Sequence, residues 1–476
     1  MSDYDFKSPF RGKHVTVMGL GRFGGGVAAA RFLAERGARV TVTDTATDAQ
    51  LVESLGQLDG IPIKRFALGG HFERDFLGAD LIVANPAIPR TNPYLALASA
   101  AGIPLTSEMN LFWQFNRGRV IGVTGSNGKS TTTALIHAMV KASGRRCWLG
   151  GNIGRSLLPH LEEIQSDDWV ILEISSFQLE DLDRLPSSPH VAVVTNFAPN
   201  HLDWHGSLDA YRRAKQSILR WQSPADIAVL NVDDSETRRW PSNGRRLGFG
   251  LEDCGALGVF LRDEIVVARD ASGERALELR EWLRLPGRHN LQNAMAAACA
   301  ALAIGISPDA IRRGIEEYEP LPHRLQFIAE IRGRRFYNDS LATTPESTAV
   351  ALESFDQPVV LLAGGYDKQV ELSGMAAAIA ARAKAVALMG QTGPALDELL
   401  VTRFDRTPTC RRVCVTFCEA FGWAIDQSQP GDVVLLSPGC ASYDWFRNFA
   451  DRGDQFAARV RNLAAEDKGD EAMKGS

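Results

Sequence analysis

Short apolar runs alternate with longer amphipathic stretches from the start of the chain, and this alternation predicts its first elements. Positions 14–18, 39–43 and 80–84 are apolar and rich in β-branched residues, which is typical of buried strands. Positions 27–36 carry apolar residues at helical spacing, and Gly37 is placed to end that helix. The order strand, helix, strand predicts a βαβ unit and a parallel sheet.

A glycine-rich turn, Gly19-Leu-Gly-Arg-Phe-Gly24, follows the first predicted strand. Glycines let the backbone approach a phosphate, and the N-terminus of the following helix attracts the anion. Asp44, after the second strand, can accept hydrogen bonds from ribose hydroxyls. We interpret this turn as a nucleotide-binding site rather than one that only packs helix on strand. The motif alone leaves a nicotinamide cofactor open.

A second strand–loop–helix begins at 119–124 and continues through Gly125-Ser-Asn-Gly-Lys-Ser-Thr131 into a helix at 134–140. This is the setting of a phosphate-binding loop, in which backbone amides surround the oxygens, Lys129 adds charge and a hydroxyl holds Mg²⁺. Val123 occupies the position of the first glycine in the usual pattern, so the match is not strict. We still predict triphosphate binding rather than a glycine turn with a solvated lysine.

Two further predicted strands, at 169–174 and 190–195, end in polar residues. Glu173 lies near the end of the first, where ligands collect in doubly wound sheets, so we expect it to bind the metal of the triphosphate rather than only to cap the next turn. The second leads into a polar segment at 196–205 that contains His201. Magnesium chemistry with ATP explains this segment more simply than a zinc site.

Strands predicted at 335–339, 358–363 and 432–437 indicate one more α/β region. A length of 476 residues suits about three domains. The fold class we predict is α/β with a Rossmann-like N-terminal domain, a central doubly wound domain of the P-loop ATPase type and a Rossmann-like C-terminal domain. Their expected bounds are 1–113, 114–320 and 321–476. The charged residues from Glu466 onward are expected to fray.

Composition narrows the function classes. A net charge of −5 offers no basic field for nucleic acid, and no apolar run approaches the ~20 residues of a membrane span. The first 13 residues are polar and lack the apolar stretch of a secretory signal. We therefore expect a cytoplasmic protein with small-molecule partners and no membrane insertion. Composition gives no information on oligomeric state, and a monomer is the working expectation. Cys410, Cys414 and Cys418 lack the spacing of a zinc site and are expected to be ordinary small hydrophobes. Cys414 falls within a short predicted strand at 411–415, which is followed by a turn at Thr416.

The chain resembles the Mur ligases over nearly its whole length. The motifs that carry the resemblance occur in family order: 122–132 (GVTGSNGKSTT), 150–154 (GGNIG), 172–180 (LEISSFQLE), 196–203 (NFAPNHLD), 211–215 (YRRAK), 285–290 (LPGRHN), 321–324 (LPHR), 338–340 (NDS), 437–442 (SPGCAS) and 449–453 (FADRG). The resemblance implies ATP-dependent ligation of D-glutamate to UDP-N-acetylmuramoyl-L-alanine through an acyl phosphate, in peptidoglycan precursor synthesis. It also argues against a nicotinamide cofactor.

The resemblance further implies a role for particular residues. Those expected to bind ATP are Gly125, Ser126, Asn127, Gly128, Lys129, Ser130, Thr131, Asn290, Arg324 and Asp339. Those expected at two Mg²⁺ ions are Ser130, Glu173, His201 and a carbamylated Lys215, with Asn152 contacting the reacting carboxylate. The uridine diphosphate part is expected at Gly19, Leu20, Gly21, Arg22, Phe23, Asp44 and Thr45, and the amino acid at Thr343, Lys368 and Ser442. In this reading Lys129, Glu173, His201, Lys215 and Asn152 are the catalytic set.

One position departs from the family pattern. The motif usually reads Asn-Asp-Ser-Lys-Ala-Thr, but Leu341 stands in place of the lysine. The chirality of the added glutamate is therefore open, and an L-glutamate-adding ligase is the alternative. A folylpolyglutamate-type ligase is a weaker one, because it lacks a full nucleotide domain before the phosphate loop. A dinucleotide-dependent oxidoreductase would have no use for the predicted phosphate-binding lysine, Lys129, or the metal-binding carboxylate, Glu173. The presence of both residues also argues against a non-catalytic nucleotide-binding regulator.

Overall fold

The computed structural model describes residues 9–21, 24–153, 156–320, 322–404 and 410–474, excepting the side chains of 203 and 468–474. The chain forms two compact units. The first consists of Met1–Leu283 with Leu291–Tyr318, and the second of Arg284–Asn290 with Glu319–Ser476. The described residues form three sheets, of which the first unit contains two.

The first sheet is parallel and has the order β3-β2-β1-β4-β5. Its strands are β1 (His14–Met18), β2 (Arg39–Asp44), β3 (Arg65–Leu68), β4 (Leu81–Ala84) and β5 (Leu105–Thr106). Its helices are α1 (Gly25–Glu35), α2 (Val52–Gly56), α3 (Glu73–Leu77), α4 (Pro93–Ala100) and α5 (Glu108–Phe115). Gly26 allows α1 to lie against the turn after β1, since an added Cβ would meet the carbonyl oxygen of Gly19 at 2.5 Å.

The second sheet has nine strands in the order β14-β13-β12-β11-β10-β9-β6-β8-β7. They are β6 (Arg119–Thr124), β7 (Cys147–Gly151), β8 (Trp169–Glu173), β9 (Val191–Val194), β10 (Ile227–Asn231), β11 (Arg245–Gly250), β12 (Gly258–Arg262), β13 (Ile265–Asp270) and β14 (Gly273–Leu277). Neighbours from β7 to β12 are parallel, whereas β12, β13 and β14 pair as antiparallel hairpins. The carboxyl ends of the parallel strands therefore meet at one edge.

Helices cover this sheet, and most of them bury small or aliphatic side chains. They are α6 (Lys129–Ala142), α7 (Ser176–Leu182), α8 (Leu202–His205), α9 (Leu208–Arg220), α10 (Leu279–Trp282), α11 (Arg288–Ala303) and α12 (Pro308–Glu316). Helix α12 packs closely against α6 at Gly314. A Cβ at this position would lie only 2.5 Å from the Cα of Met139, so the close approach requires glycine. One hydrophobic core runs through the first unit and joins side chains such as Phe32 and Phe115 to Leu172 and Ile218.

A buried ion pair also joins the two sheets of the first unit. Arg90, in the loop after β4, pairs with Asp181 on α7, and Asn110 donates to the backbone carbonyl of Asp181 at 2.9 Å. Burial lowers the pKa of Arg90 to about 10. The carboxylate of Asp181 is buried and the Arg90 side chain is 20% exposed. Loss of either partner would leave a largely desolvated charge uncompensated, which is strongly unfavourable.

Asp181→Ala is therefore expected to lower the free energy of unfolding by about 3 kcal/mol, at the lower end for a broken buried pair. The matched control is Glu316→Ala, which removes an exposed pair with Arg312 on α12 and is expected to lower it by less than about 0.5 kcal/mol. Urea unfolding followed by tryptophan fluorescence measures both variants. If both variants lose the same free energy of unfolding, the Arg90–Asp181 pair contributes no more to stability than an exposed ion pair.

The third sheet, in the second unit, has the order β15-β16-β20-β17-β18-β19 and is parallel apart from the β15–β16 hairpin. Its strands are β15 (Gln326–Ile331), β16 (Arg334–Asn338), β17 (Val359–Gly364), β18 (Ala383–Met389), β19 (Cys410–Val413) and β20 (Val433–Leu436). Its helices are α13 (Pro345–Leu352), α14 (Ser373–Arg382), α15 (Gly393–Arg403), α16 (Phe417–Gln427) and α17 (Phe449–Lys474).

The predicted α/β class and the predicted strands are confirmed, with bounds that move by one or two residues. Two expectations were wrong. Helix α17 continues to Lys474, because charge at the end of a chain indicates solvation and does not oppose helix formation. Cys410 and Cys418 are exposed, and among these three cysteines only Cys414 behaves as a buried hydrophobe. Within the described ranges, no helix has the length and apolarity required to cross a membrane.

Candidate active site

The loop predicted to bind phosphate, called the phosphate loop below, connects β6 to α6 at the carboxyl edge of the second sheet. Gly125 and Gly128 both have positive φ, at 148° and 80°, and Gly128 precedes the first residue of α6. A side chain at either position would collide with its surroundings, since a Cβ would lie 1.9 Å from Thr195 Oγ1 or 2.2 Å from Asn293 Oδ1. The two glycines are thus required by close approach as well as by backbone conformation.

The segment after β9 holds this loop in place. Ser126 N donates to the carbonyl of Asn196 at 3.0 Å, and Asn127 N donates to the side-chain oxygen of Asn196 at 2.8 Å. The hydroxyl of Ser126 donates to the carbonyl of Ala198 at 2.8 Å and lies 3.1 Å from the hydroxyl of Tyr211. Two of the amides that we expected to face phosphate are therefore engaged with Asn196. The amides at the start of α6 have no intrahelical acceptor and are the ones suited to an anion.

Two lysines converge on one carbonyl oxygen of the loop. Lys129 Nζ donates to the carbonyls of Gly125 and Ser126, each at 2.9 Å, and Lys215 Nζ donates to the same Gly125 oxygen at 2.8 Å. Lys215 is buried on α9 and lies 4.9 Å from the ring centroid of Tyr211. Burial, and then the charge of Lys129, hold the pKa of Lys215 well below its ordinary value, while Glu173 acts in the opposite direction. A lowered pKa makes the neutral amine accessible.

Glu173 and Asn152 form a pair at the ends of β8 and β7. Asn152 Nδ2 donates to Glu173 Oε1 at 2.6 Å, and Asn152 N donates to the backbone carbonyl of Glu173 at 2.8 Å. Glu173 lies beside the phosphate loop, because β8 pairs with β6 in a register that places it opposite Val123. The other carboxylate oxygen, Oε2, is buried and has no hydrogen-bond partner among the described residues.

This orphaned oxygen fits a hard cation. Mg²⁺ is bound through one or two carboxylates together with substrate phosphates and waters, so it does not need a cage of protein ligands. The described part of the chain contains no group of three or more His, Cys, Asp or Glu side chains positioned for a metal. Ser130, at the second position of α6, is the hydroxyl nearest in sequence to Lys129 that could add a ligand.

His201, the histidine of the predicted catalytic set, directly precedes α8 and has a left-handed conformation with φ 52°. Its ring lies 4.9 Å from the ring of Phe177, the second residue of α7. His205 stacks on the same phenylalanine at 5.5 Å and contacts Ser176 Oγ at 3.0 Å through Nε2. Phe177 is therefore the packing surface that positions the segment between β9 and α9.

The glycine turn of the first sheet borders a separate cavity of about 390 Å³. Asp44 shapes the turn itself, since its carboxylate accepts from Gly21 N at 3.3 Å and from Ala46 N at 2.9 Å. Leu20 is fully buried, so it can reach a ligand only through its backbone, whereas Thr45 is exposed. Arg22 and Phe23, also predicted here, lie outside the described residues.

The cavity extends from this turn to the edge of the second sheet. The residues that border it include Gly19, Asn85, Glu108, Asn152, Ser175 and Gln178. It therefore connects the predicted uridine diphosphate site with Asn152, one of the predicted catalytic residues. Both ends belong to the first unit.

The predicted ATP residues Asn290, Arg324 and Asp339 belong to the second unit. Asp339 is buried and accepts from Ser437 Oγ at 2.8 Å and from Leu325 N at 3.1 Å. Burial raises the pKa of Asp339 to about 7, against the weaker opposing effect of its hydrogen bonds and of Arg324. Asn290 is buried and donates to the carbonyl of Pro286 at 2.7 Å.

The residues predicted to bind the amino acid also lie in this unit. Ser442 is buried, Thr343 is half-buried, and Lys368 is exposed with its Nζ 5.8 Å from the ring centroid of Tyr443. Leu341, at the position of the usual lysine, donates its backbone N–H to the carbonyl of His323 at 2.9 Å.

The sequence interpretation assigned no role to Arg452. The structure places its side chain between the segments that follow β16 and β20. Its guanidinium is buried and donates to Ser340 Oγ and Ser340 O at 3.0 and 2.9 Å, and to the carbonyls of Cys440 and Ala441 at 3.1 and 3.3 Å. The sequence did contain a signal for this residue, because Arg452 is a charged residue within the 449–453 motif. Asn196 and Tyr211 were likewise quoted in motifs, but their contacts with the phosphate loop depend on tertiary structure.

Three family models match successive parts of the chain. The Mur ligase MurD-like N-terminal domain matches residues 13–107, the Mur ligase middle domain 123–301, and the Mur ligase glutamate ligase domain 323–440. The fold and site thus define an enzyme class, and the chain belongs to the Mur ligase family. Mur ligases depend on ATP and generally use Mg²⁺.

Curated relatives of nearly equal length share one name, UDP-N-acetylmuramoylalanine–D-glutamate ligase. The chain is 41% identical to that of Roseiflexus sp., covering 95% of this chain and 99% of the relative. It is 39% identical to that of Geobacillus kaustophilus, covering 95% and 98%. Among solved structures it is similar to the UDP-N-acetylmuramate-alanine ligase MurC from Thermotoga maritima, with a TM-score of 0.60, 18% identity, and coverage of 94% of this chain and 99% of that one. At that identity the likeness shows the fold alone.

Proposed function

We propose that this chain ligates D-glutamate to UDP-N-acetylmuramoyl-L-alanine, coupled to the conversion of ATP to ADP and phosphate, as a monomer in the cytoplasm, in peptidoglycan precursor synthesis. The observation that carries the proposal is the arrangement of Lys129, Lys215 and Glu173 around one phosphate loop, in a chain whose full-length relatives carry that name. The retained carboxylate and lysines support an enzyme over a nucleotide-binding regulator.

The proposed reaction has two steps. A carboxylate oxygen of the precursor attacks the γ-phosphorus of ATP, and the bond between that phosphorus and the leaving oxygen of ADP breaks. The glutamate amine then attacks the resulting acyl phosphate carbon, phosphate leaves, and the amine nitrogen loses a proton as the amide forms. Both steps concentrate negative charge, so positioned cations and amides are the expected source of rate acceleration.

The residues of the first unit have separate tasks in this scheme. Lys129 and the amides at the start of α6 hold the transferring phosphate, and Asn152 orients the precursor carboxylate. Glu173, Ser130 and His201 would hold Mg²⁺, which supplies charge neutralisation at the phosphates when bound. Phe177 supports the proposed position of His201 through the ring contact at 4.9 Å.

Lys215 is proposed to act as a carbamate. The ammonium first loses one proton. The neutral amine then attacks the carbon of CO₂, a C–N bond forms as one C–O π bond breaks, and a second proton is released to solvent. The side chain thereby changes from a cation to an anion. The lowered pKa supports this reaction because only the unprotonated amine is a nucleophile. The change would also end the repulsion between two ammonium groups that share the Gly125 carbonyl.

The precursor is proposed to occupy the cavity of the first unit, with its uridine diphosphate at Gly19, Gly21, Asp44 and Thr45. Glutamate is proposed to contact Thr343, Lys368 and Ser442 in the second unit. The ATP roles of Asn290, Arg324 and Asp339 stay predictions. Leu341 carries no charge to pair with the side-chain carboxylate of glutamate. Lys368 is proposed to supply the cation for that carboxylate instead.

Substrate chirality provides the test of this proposal. We expect kcat/KM for D-glutamate to exceed that for L-glutamate by at least about tenfold. A site that binds its substrate through charged hydrogen bonds discriminates strongly against an enantiomer that cannot form them. Leu341→Lys is expected to lower the KM for D-glutamate, by a gain of roughly 1.5–3 kcal/mol if no other cation fills that space. Phosphate release with each enantiomer measures both. A preference of similar size for L-glutamate would support the L-adding alternative.

A further inference from the structure

The cavity of the first unit contains an unusual charge arrangement for a site that receives an anion. Among the described residues that border it, Glu108 is the only ionisable one. The others are apolar side chains, glycines, amides and hydroxyls, contributed by residues in or next to β1, α1, β4 and α7 and by Gly151, Asn152 and Ser156. A nucleotide-linked sugar carries negative charge on its diphosphate, so an ionised carboxylate in this cavity would repel it.

The position of Glu108 determines its protonation. It is the first residue of α5, directly after the N-cap residue Ser107, and it accepts a hydrogen bond from Ser156 Oγ. Burial raises the pKa of Glu108 to about 7, and the hydrogen bond from Ser156 opposes that rise without cancelling it. The side chain lies deep in the protein but is not fully covered, and its open part faces the cavity.

The N-terminus of α5 gives Glu108 a partial positive charge, and no cation of the described residues neutralises it. Glu108 makes no ion pair within the described residues, and burial and Ser156 are the two influences on its pKa. Titratable groups that contact the cavity wall include Glu173, which accepts from Asn152, and His201 and His205, which pack against Phe177. Arg90, in the loop after β4, is paired with Asp181. The protonated form is therefore a neutral hydrogen-bond donor, and the ionised form has no paired cation in the described part of the chain.

We propose that Glu108 is a specificity-determining residue whose neutral carboxyl donates a hydrogen bond to an oxygen of the nucleotide-linked sugar substrate. Its ionised form excludes that substrate, so binding is coupled to one proton. This inference rests on the proposed function, which assigns the cavity to the precursor.

Calorimetric titration of the full chain with UDP-N-acetylmuramoyl-L-alanine, without ATP, tests this inference. If only the protonated form binds, Kd rises about tenfold between about pH 6 and about pH 8, because a group with a pKa near 7 is mostly ionised at the higher pH. Glu108→Gln keeps a neutral donor and is expected to show a Kd that varies less than about twofold over the same range.

Two further variants separate this role from a structural one. Ser156→Ala removes the contact that lowers the pKa, so the midpoint of the Kd profile is expected to move to higher pH. Glu73→Gln, at the exposed first residue of α3, is expected to leave the wild-type profile unchanged. Tight binding by the wild type at both pH values, or a Glu108→Gln profile as steep as the wild type, would overturn the role of Glu108. Absence of binding at every pH would overturn the proposed function itself, and the inference with it.

Discussion

Lys129→Ala is expected to lower kcat for ligation by at least about a hundredfold, in the range seen when a donor to a transition-state anion is removed. The ammonium lies within the phosphate loop, where it donates to the carbonyls of Gly125 and Ser126. Phosphoryl transfer depends on charge placed in advance around the γ-phosphate, and the first-turn amides of α6 alone supply only partial charges. ADP formation in a coupled assay measures the effect.

The matched control is Lys141→Ala on the same helix. Lys141 is exposed in the last turn of α6, so its loss should change kcat by less than about twofold. Retention of more than about a tenth of wild-type turnover by Lys129→Ala would contradict the phosphate-binding role, which requires a loss of several kcal/mol.

Lys215→Ala is expected to be nearly inactive, by a factor of at least about a hundred, if the side chain acts as an anionic carbamate at the metal. The distinctive expectation is partial recovery with a short carboxylate such as acetate, because the truncated side chain leaves space for an exogenous anion. Recovery should increase with acetate concentration and saturate. Assays with and without acetate, at matched ionic strength with chloride, measure the effect.

Arg213→Ala is the control for this result. Arg213 lies two residues earlier on α9, is exposed, and makes no ion pair with the described residues, so little change is expected with or without acetate. An inactive Lys215→Ala variant that no carboxylate rescues would contradict the carbamate. Wild-type activity in that variant would remove Lys215 from the site altogether.

Much of the site could be predicted because its chemistry is local in sequence. The phosphate loop needs a strand, glycines with positive φ and a helix start, and each has a signature between Arg119 and Lys129. Glu173 followed from one rule, that ligands gather where parallel strands end. Its orphaned oxygen Oε2 could not be predicted, because that depends on which side chains fold over it.

Other features depend on contacts between distant residues. The antiparallel extension of the second sheet was not predicted, although Asp263 and Glu264, with φ of 48° and 66°, mark a two-residue hairpin turn between alternating strands. The convergence of two lysines on Gly125 joins residues far apart in the chain. The pKa of Glu108 is set by burial, which no local pattern reveals.

The central claim is that the chain activates the precursor carboxylate as an acyl phosphate before the amide forms. The most direct test supplies UDP-N-acetylmuramoyl-L-alanine labelled with ¹⁸O in its terminal carboxylate, with ATP, Mg²⁺ and D-glutamate. Mass spectrometry then follows the phosphate. If the carboxylate oxygen attacks the γ-phosphorus, each phosphate released carries one labelled oxygen and the amide product retains the other. Ligation that releases unlabelled phosphate, or no ligation with all substrates present, would contradict the account.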